Sequence, residues 1–159
     1  MTEVINIKKG LLVGVKTSFY TIFNSEKYDP KAIPTAWQEF FTRAAGTDLA
    51  NIKTFYGASI ASDGMSFDVP MDYFAGTIVD ENAEVPSGFE SVYIPDGNYL
   101  CLMHRGPISN IAASYQKAYT ETLPTSGKEM RPAPHLEIYN SEKDPMDDDY
   151  QMMIAIPCI

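Results

Sequence analysis

The stretch MDYFAGTIVD, Met71 to Asp80, returns near the end of the chain as DDYQMMIAIPCI, Asp148 to Ile159. Asp72-Tyr73 recurs as Asp149-Tyr150, 77 residues later, and each copy runs on into apolar, β-branched residues that read as a strand. Working outward, each copy follows another strand-like run: KTFYGASIA (Lys53 to Ala61) before the first and APHLEIYN (Ala133 to Asn140) before the second. Ahead of those lie two helical segments. In PTAWQEFFTRAAG, Trp37, Phe40, Phe41 and Ala44 fall at i, i+3, i+4 and i+7, with Pro34 at the start and Gly46 at the end. In PISNIAASYQKAYTETLPTSG, Ile111, Tyr115, Ala118 and Thr122 are helically spaced, Ser109 is the cap candidate, and Pro124 is the expected stop.

Each helix is led by a strand, GLLVGVKTSFY (Gly10 to Tyr20) and NYLCLMHRG (Asn98 to Gly106), and the latter forms a hairpin with FESVYIP (Phe89 to Pro95) about the turn PDGN. SDGMSFDVP and NAEVPSG are turn-rich connectors, and SEKDPMDDD is an acidic loop. The pattern predicts one α+β domain over residues 1–159. It is a tandem, pseudo-symmetric duplication of a strand-helix-strand-strand unit (SHS2-like), with halves of about 1–82 and 83–159. Neither unit buries its own face well, so they share an antiparallel sheet with two main helices and leave a ligand groove between the halves.

Composition bounds what such a domain does. With 159 residues, 45% hydrophobic and 12% aromatic, the chain supports one core and is not disordered. A net charge of −9 repels phosphate backbones and anionic membrane surfaces and favours cationic partners, so neither direct nucleic-acid binding nor membrane association is expected. MTEVINIKKG lacks a signal-peptide core and no apolar run spans a bilayer, which points to a cytoplasmic protein. Cys101 and Cys158 have no metal or disulfide spacing and read as small buried hydrophobes. His104 and His135 stand at no metal-ligand spacing, His104 reads as structural, and the acidic loop lacks the ligand pattern of a calcium site. No cofactor or metal is expected.

Within PHLEIYN, strand alternation turns His135, Glu137 and Tyr139 one way and Leu136 and Ile138 the other. A carboxylate beside a tyrosine suits a pocket rather than a solvent face when rings surround it. The chain supplies those rings: Trp37 and Phe41 on the first helix, Tyr115 and Tyr119 on the second, and Tyr56, Tyr73, Phe74, Tyr139 and Tyr150 on strands. Such a shell attracts lipophilic cations, since the rings offer dispersion and cation–π attraction and the carboxylate pairs with the charge. A buried Glu137 without such a partner must be met by water, a ring hydroxyl or a proton.

The succession LLVGVKT, FYGASI, MDYFAGTIVD, VPSGFESVYIPDGNYLCLMHRGPI, YTETLPTSG, APHLEIY and YQMMIAIPCI resembles the GyrI-like small-molecule-binding domain, over essentially the whole chain. That family supplies the effector-binding module of MerR- and AraC-type multidrug regulators and also occurs alone. The resemblance implies a duplicated unit with a ligand pocket between its halves and the glutamate of an "fEiY" motif at the pocket floor. By position that glutamate is Glu137, the first-helix aromatic is Trp37, the next-strand ring is Tyr56, and a second-helix ring is Tyr115. The ligand-binding set is therefore Glu137, Tyr139, Trp37, Phe41, Tyr56, Tyr115, Tyr119 and Met153. Without a DNA-binding segment before Gly10 the chain resembles the stand-alone form, and a homodimer or protein partner stays open. The leading reading is binding of hydrophobic, cationic or aromatic small molecules. The alternatives are a hydrolase of strained electrophiles using Glu137 and a protein–protein modulator of gyrase or of a regulator.

Overall fold

The computed structural model describes residues 2–21, 23–60, 69–140 and 144–159. Most of the turn-rich SDGMSFDVP and the start of the acidic loop lie outside these.

Among the described residues, eight strands form one antiparallel sheet: β1 (Thr2–Ile7), β2 (Gly10–Phe19), β3 (Phe55–Ile60), β4 (Met71–Val79), β5 (Glu90–Ile94), β6 (Gly97–Arg105), β7 (His135–Tyr139) and β8 (Gln151–Cys158). The first helix, α1, is Ala32–Ala44, with Pro34 in its opening turn and Gly46 at φ 81° just beyond its end. The second, α2 (Ile111–Lys117), runs on through a π-helical stretch, Ala118–Thr122, and a last turn, Leu123–Thr125.

Two helix expectations are corrected. Ser109 caps nothing; Asn110 precedes α2 and offers no side-chain cap either. Pro124 does not stop the helix but widens it. Proline has no N–H, and its ring crowds the carbonyl four residues back, so the preceding turn opens and Leu123 N–H bonds to the carbonyl of Ala118, five residues away.

The strand order β1-β6-β8-β7-β3-β4-β2-β5 is a palindrome of the two units, with β3 and β7 paired at its centre. Gly57 faces Glu137 there. Tyr73 and Tyr150, from the recurring Asp-Tyr pair, lie on the same face of the sheet.

The expected hairpin of the fifth and sixth strands does not form. β5 pairs with β2, and β6 with β1 and β8. Residues 2–7, to which the sequence assigned no element, become β1, which adds to the second unit just as β5 adds to the first.

This exchange forces the sheet to curl. Lys8 and Lys9 alone join β1 to β2. Three Cα steps reach at most about 11 Å, whereas six strand spacings in a flat sheet would need about 29 Å. The inner face of the curl is therefore a closed core to which every strand contributes, including Ile7, Leu12, Ala58, Phe74, Ile94, Tyr99, Leu136 and Ala155. At about 1.5–3 kcal/mol for each large apolar side chain, this cluster holds the two units together.

Both helices cover the outer face. α1 buries Ala36, Phe40 and Ala44 against Val13, Val15, Tyr73 and Ala75, and α2 with its continuation packs Tyr115, Ala118 and Tyr119 toward Leu102, Tyr150, Met152 and Ile154. His104, fully buried at the end of β6, ties α2 in place: Nδ1 lies 2.7 Å from the Ser114 hydroxyl, and Nε2 lies 3.1 Å from the carbonyls of Gly106 and Pro107. A hydrogen on Nε2 satisfies both carbonyls and leaves Nδ1 to accept from Ser114, a structural role. Cys101 and Cys158 are buried and free. Among the described residues no helix is long and apolar enough to cross a membrane.

Candidate functional site

Where the two units meet on the outer face, β7 points His135, Glu137 and Tyr139 toward the helices. Glu137 is 5% exposed. Its Oε1 accepts from the Tyr73 hydroxyl at 2.6 Å and the Tyr139 hydroxyl at 2.8 Å, and its Oε2 accepts from the Tyr115 hydroxyl. The Trp37 indole N–H donates to Tyr73 Oη at 2.9 Å, which aims the Tyr73 proton at the carboxylate. The donors come from both units: Trp37 and Tyr73 from the first, Tyr115 and Tyr139 from the second.

Gly57 makes this convergence fit. A Cβ there would stand 2.1 Å from Tyr73 Oη and 2.7 Å from Glu137 Oε1, so only glycine lets the tyrosine reach across.

Burying a carboxylate costs several kcal/mol unless its charge is met. Among the described residues Glu137 takes part in no ion pair; the ion pairs present, such as Lys9–Glu81 and Lys16–Asp72, lie at the surface. Three neutral hydroxyls compensate it instead. They stay protonated: burial first, and then the charge of Glu137, hold the hydroxyls of Tyr73, Tyr115 and Tyr139 well above their ordinary titration range. Burial, then Glu137, pushes Tyr150 up to about 12 and raises Tyr119 as well. Tyr28, in the connection between β2 and α1, is raised by burial and then by Asp29 and Glu137. The result is a carboxylate ringed by phenols that stay protonated and act as neutral donors.

Around this centre the rings connect to the surface. Trp37 meets Tyr139 edge-on at 5.1 Å, stacks on Phe41 at 5.8 Å, and touches Phe55 edge-on at 6.4 Å. Phe41 is 49% exposed, so it forms the rim of the cluster and not its floor. On the α2 side, Tyr115 and Tyr119 stack at 6.4 Å, and Tyr119 stacks on His135 at 5.8 Å with its hydroxyl 2.5 Å from Nδ1.

Six of the eight residues expected from the sequence thus share the outer face, with Tyr119 bonded to His135 and not to Glu137. Tyr56 and Met153 are corrected. Tyr56 pairs with Ile138, and Ile138 with Met153; all three belong to the inner face, one residue out of phase with Glu137. An open groove of about 620 Å³ does border Tyr56, where Ile5, Ile7, Ile78 and Ile138 meet the polar Lys8, Lys9 and Asp80, but it shares no lining residue with the Glu137 cluster. Tyr73 belonged to the aromatic set but was not assigned to the site. Tyr28 and Gly57 were missed altogether: no periodic signal marks Tyr28 in its connecting segment, and Gly57 is meaningful only once its strand partner is known.

The model of the GyrI-like small molecule binding domain matches residues 12–158. The transcriptional regulator BrlR of Pseudomonas aeruginosa is 31% identical over 86 residues, 54% of this chain. That match spans 32% of BrlR, so the chain corresponds to about a third of the curated relative's length. Among solved structures, SAV2435 bound to tetraphenylphosphonium superposes with TM-score 0.73 at 15% identity, covering 100% of this chain and 94% of that one. The EcmrR C-terminal domain gives TM-score 0.64 at 13% identity, covering 100% and 97%. Both show the fold.

Proposed function

The chain belongs to the GyrI-like small-molecule-binding domains, and from that premise we propose that it binds lipophilic organic cations between its two units, with Glu137 as their counter-charge. One observation carries the reading: a buried carboxylate has no cationic partner among the described residues and is held only by neutral tyrosine hydroxyls inside an aromatic shell. Such a site keeps its negative charge uncancelled. A cation with an apolar body gains charge attraction to Glu137 and about 0.5–2 kcal/mol from each ring it faces, while losing little hydration. That a protein of this fold holds tetraphenylphosphonium supports the same reading. Because Glu137 is 5% exposed, the ligand must part the rings, and half-buried Trp37 and Tyr139 together with exposed Phe41 mark the side on which they part.

A hydrolytic role has less support. Both oxygens of Glu137 are engaged by tyrosine hydroxyls, so neither is positioned to take a proton from a water molecule.

The test is thermal melting with tetraphenylphosphonium. Wild type should melt progressively higher, with about 2.7 kcal/mol of added stability at 100 times the dissociation constant. Glu137→Gln should fold yet lose at least tenfold in cation affinity, while a neutral aromatic of similar size loses little. Equal cation affinity in both proteins refutes the reading.

A further inference from the structure

We propose that His135 is a hydrogen-bond-donor subsite beside Glu137, recognising an acceptor oxygen (ester, ketone or amide) carried by the lipophilic cation. This rests on the binding reading above and adds a second recognition element to it.

His135 and Glu137 are alternate residues of β7 and share its outer face, so their side chains leave the backbone about 7 Å apart. His135 is held by the end of a ring stack: Tyr115 lies on Tyr119 at an interplanar angle of 11°, and Tyr119 on His135 at 19°. The same Tyr115 donates to Glu137, so one helix face fixes both polar groups in a single frame.

The hydrogen on the imidazole can then be placed. Burial holds His135 near pKa 4, so the ring is neutral at physiological pH. The Tyr119 hydroxyl lies 2.5 Å from Nδ1 and has no other acceptor among the described residues. Its proton therefore goes to Nδ1, and the ring's own hydrogen sits on Nε2. That N–H has no partner among the described residues, and His135 is only half-buried, so the group is open to a ligand.

Its neutrality matters chemically. A lysine or a charged imidazole this close to Glu137 would cancel the carboxylate and repel a cationic ligand. A neutral N–H offers a hydrogen bond at no electrostatic cost to the bound cation. The ligand class it selects carries a delocalised or fully substituted cationic centre for Glu137 and an acceptor oxygen one ring's length away.

A matched pair of probes tests this on the full chain by calorimetry at pH 7.5: tetraphenylphosphonium, which has no acceptor oxygen, and the same ion bearing a para methoxycarbonyl group on one ring. Wild type should prefer the ester by about two- to tenfold, the range of one neutral hydrogen bond. His135→Phe should abolish the preference and leave tetraphenylphosphonium within twofold of wild type, and His135→Gln, which keeps an N–H donor, should restore part of it. Equal affinity of wild type for the two probes, a preference that survives His135→Phe, or an equal loss for both probes overturns the subsite while leaving the Glu137 reading standing. Failure of wild type to bind either probe overturns both.

Discussion

Replacing Gly57 by alanine would put a methyl carbon 2.1 Å from Tyr73 Oη, 2.7 Å from Tyr73 Cζ and 2.7 Å from Glu137 Oε1. None of these separations is tolerable, and the strand cannot move because β3 is paired on both sides, with β4 and β7. Tyr73 must therefore swing off the carboxylate. The 2.6 Å bond it loses is charge-assisted and costs about 1.5–3 kcal/mol, and overpacking adds about 1–3 kcal/mol. A total of about 2.5–6 kcal/mol follows, a drop in melting temperature of roughly 5–24 °C for a chain of this size. Urea denaturation followed by the fluorescence of the single Trp, Trp37, reads it directly, since Trp37 bonds to the displaced hydroxyl. The cause is isolated by a double-mutant cycle with Tyr73→Phe, which removes the atom at 2.1 Å. The alanine should then cost at least about 1 kcal/mol less than in wild type. Additive costs, or a Gly57→Ala protein within about 1 kcal/mol of wild type, would refute the reasoning.

Other expectations come from the same structure. His104→Ala should destabilise by about 2–4 kcal/mol in urea, because it orphans the Ser114 hydroxyl and two carbonyls and leaves a cavity. Burial pushes the Cys101 thiol up to about 12, so a thiol reagent at pH 8 should label it only as fast as the protein unfolds. His135 titrates near 4 when folded and near its ordinary 6.5 when unfolded, so between those values the unfolded chain binds the extra proton. Its contribution to stability is thus complete above about pH 6.5 and is lost as the pH falls toward 4, by about 3 kcal/mol; His135→Phe should flatten that slope in pH-dependent urea titrations.

The repeat was legible because its signals are local. Helix spacing at Trp37, Phe40, Phe41 and Ala44, and strand alternation through Glu137, follow from positions a few residues apart. Which strand pairs with which depends on distant parts of the chain. PDGN has the composition of a hairpin turn, yet Pro95 and Asp96 only carry the chain round a corner, and β5 pairs with β2 while β6 pairs with β1 and β8. At the site, the parity of a strand residue decides everything: alternation places Glu137 on the outer face, whereas Tyr56 and Met153 fall on the inner one. A family position assigned through gaps can slip by one residue, and one residue reverses the face. The hydroxyls of Tyr73 and Tyr115 could be nominated as rings from the sequence, but not as donors to the same carboxylate.

The exchange of β1 and β5 also explains why the charge sits where it does. Glu137 lies on the central pair of strands, farthest from both sheet edges, where the two units face each other and neither alone can satisfy it. Without the first unit, Tyr73 and Trp37 are gone and Oε1 keeps only Tyr139, on a strand that has also lost β3. Without the second unit, the rings of α1 have no carboxylate to surround. Each unit lends its leading strand to the other, so the core on the inner face can close only when both are present. The cost of burying Glu137 is therefore borne by an assembly that is already committed to folding as one piece. A duplicated unit can accordingly hold a carboxylate at its junction that neither half could satisfy alone, and the groups that hold it there are neutral hydroxyls.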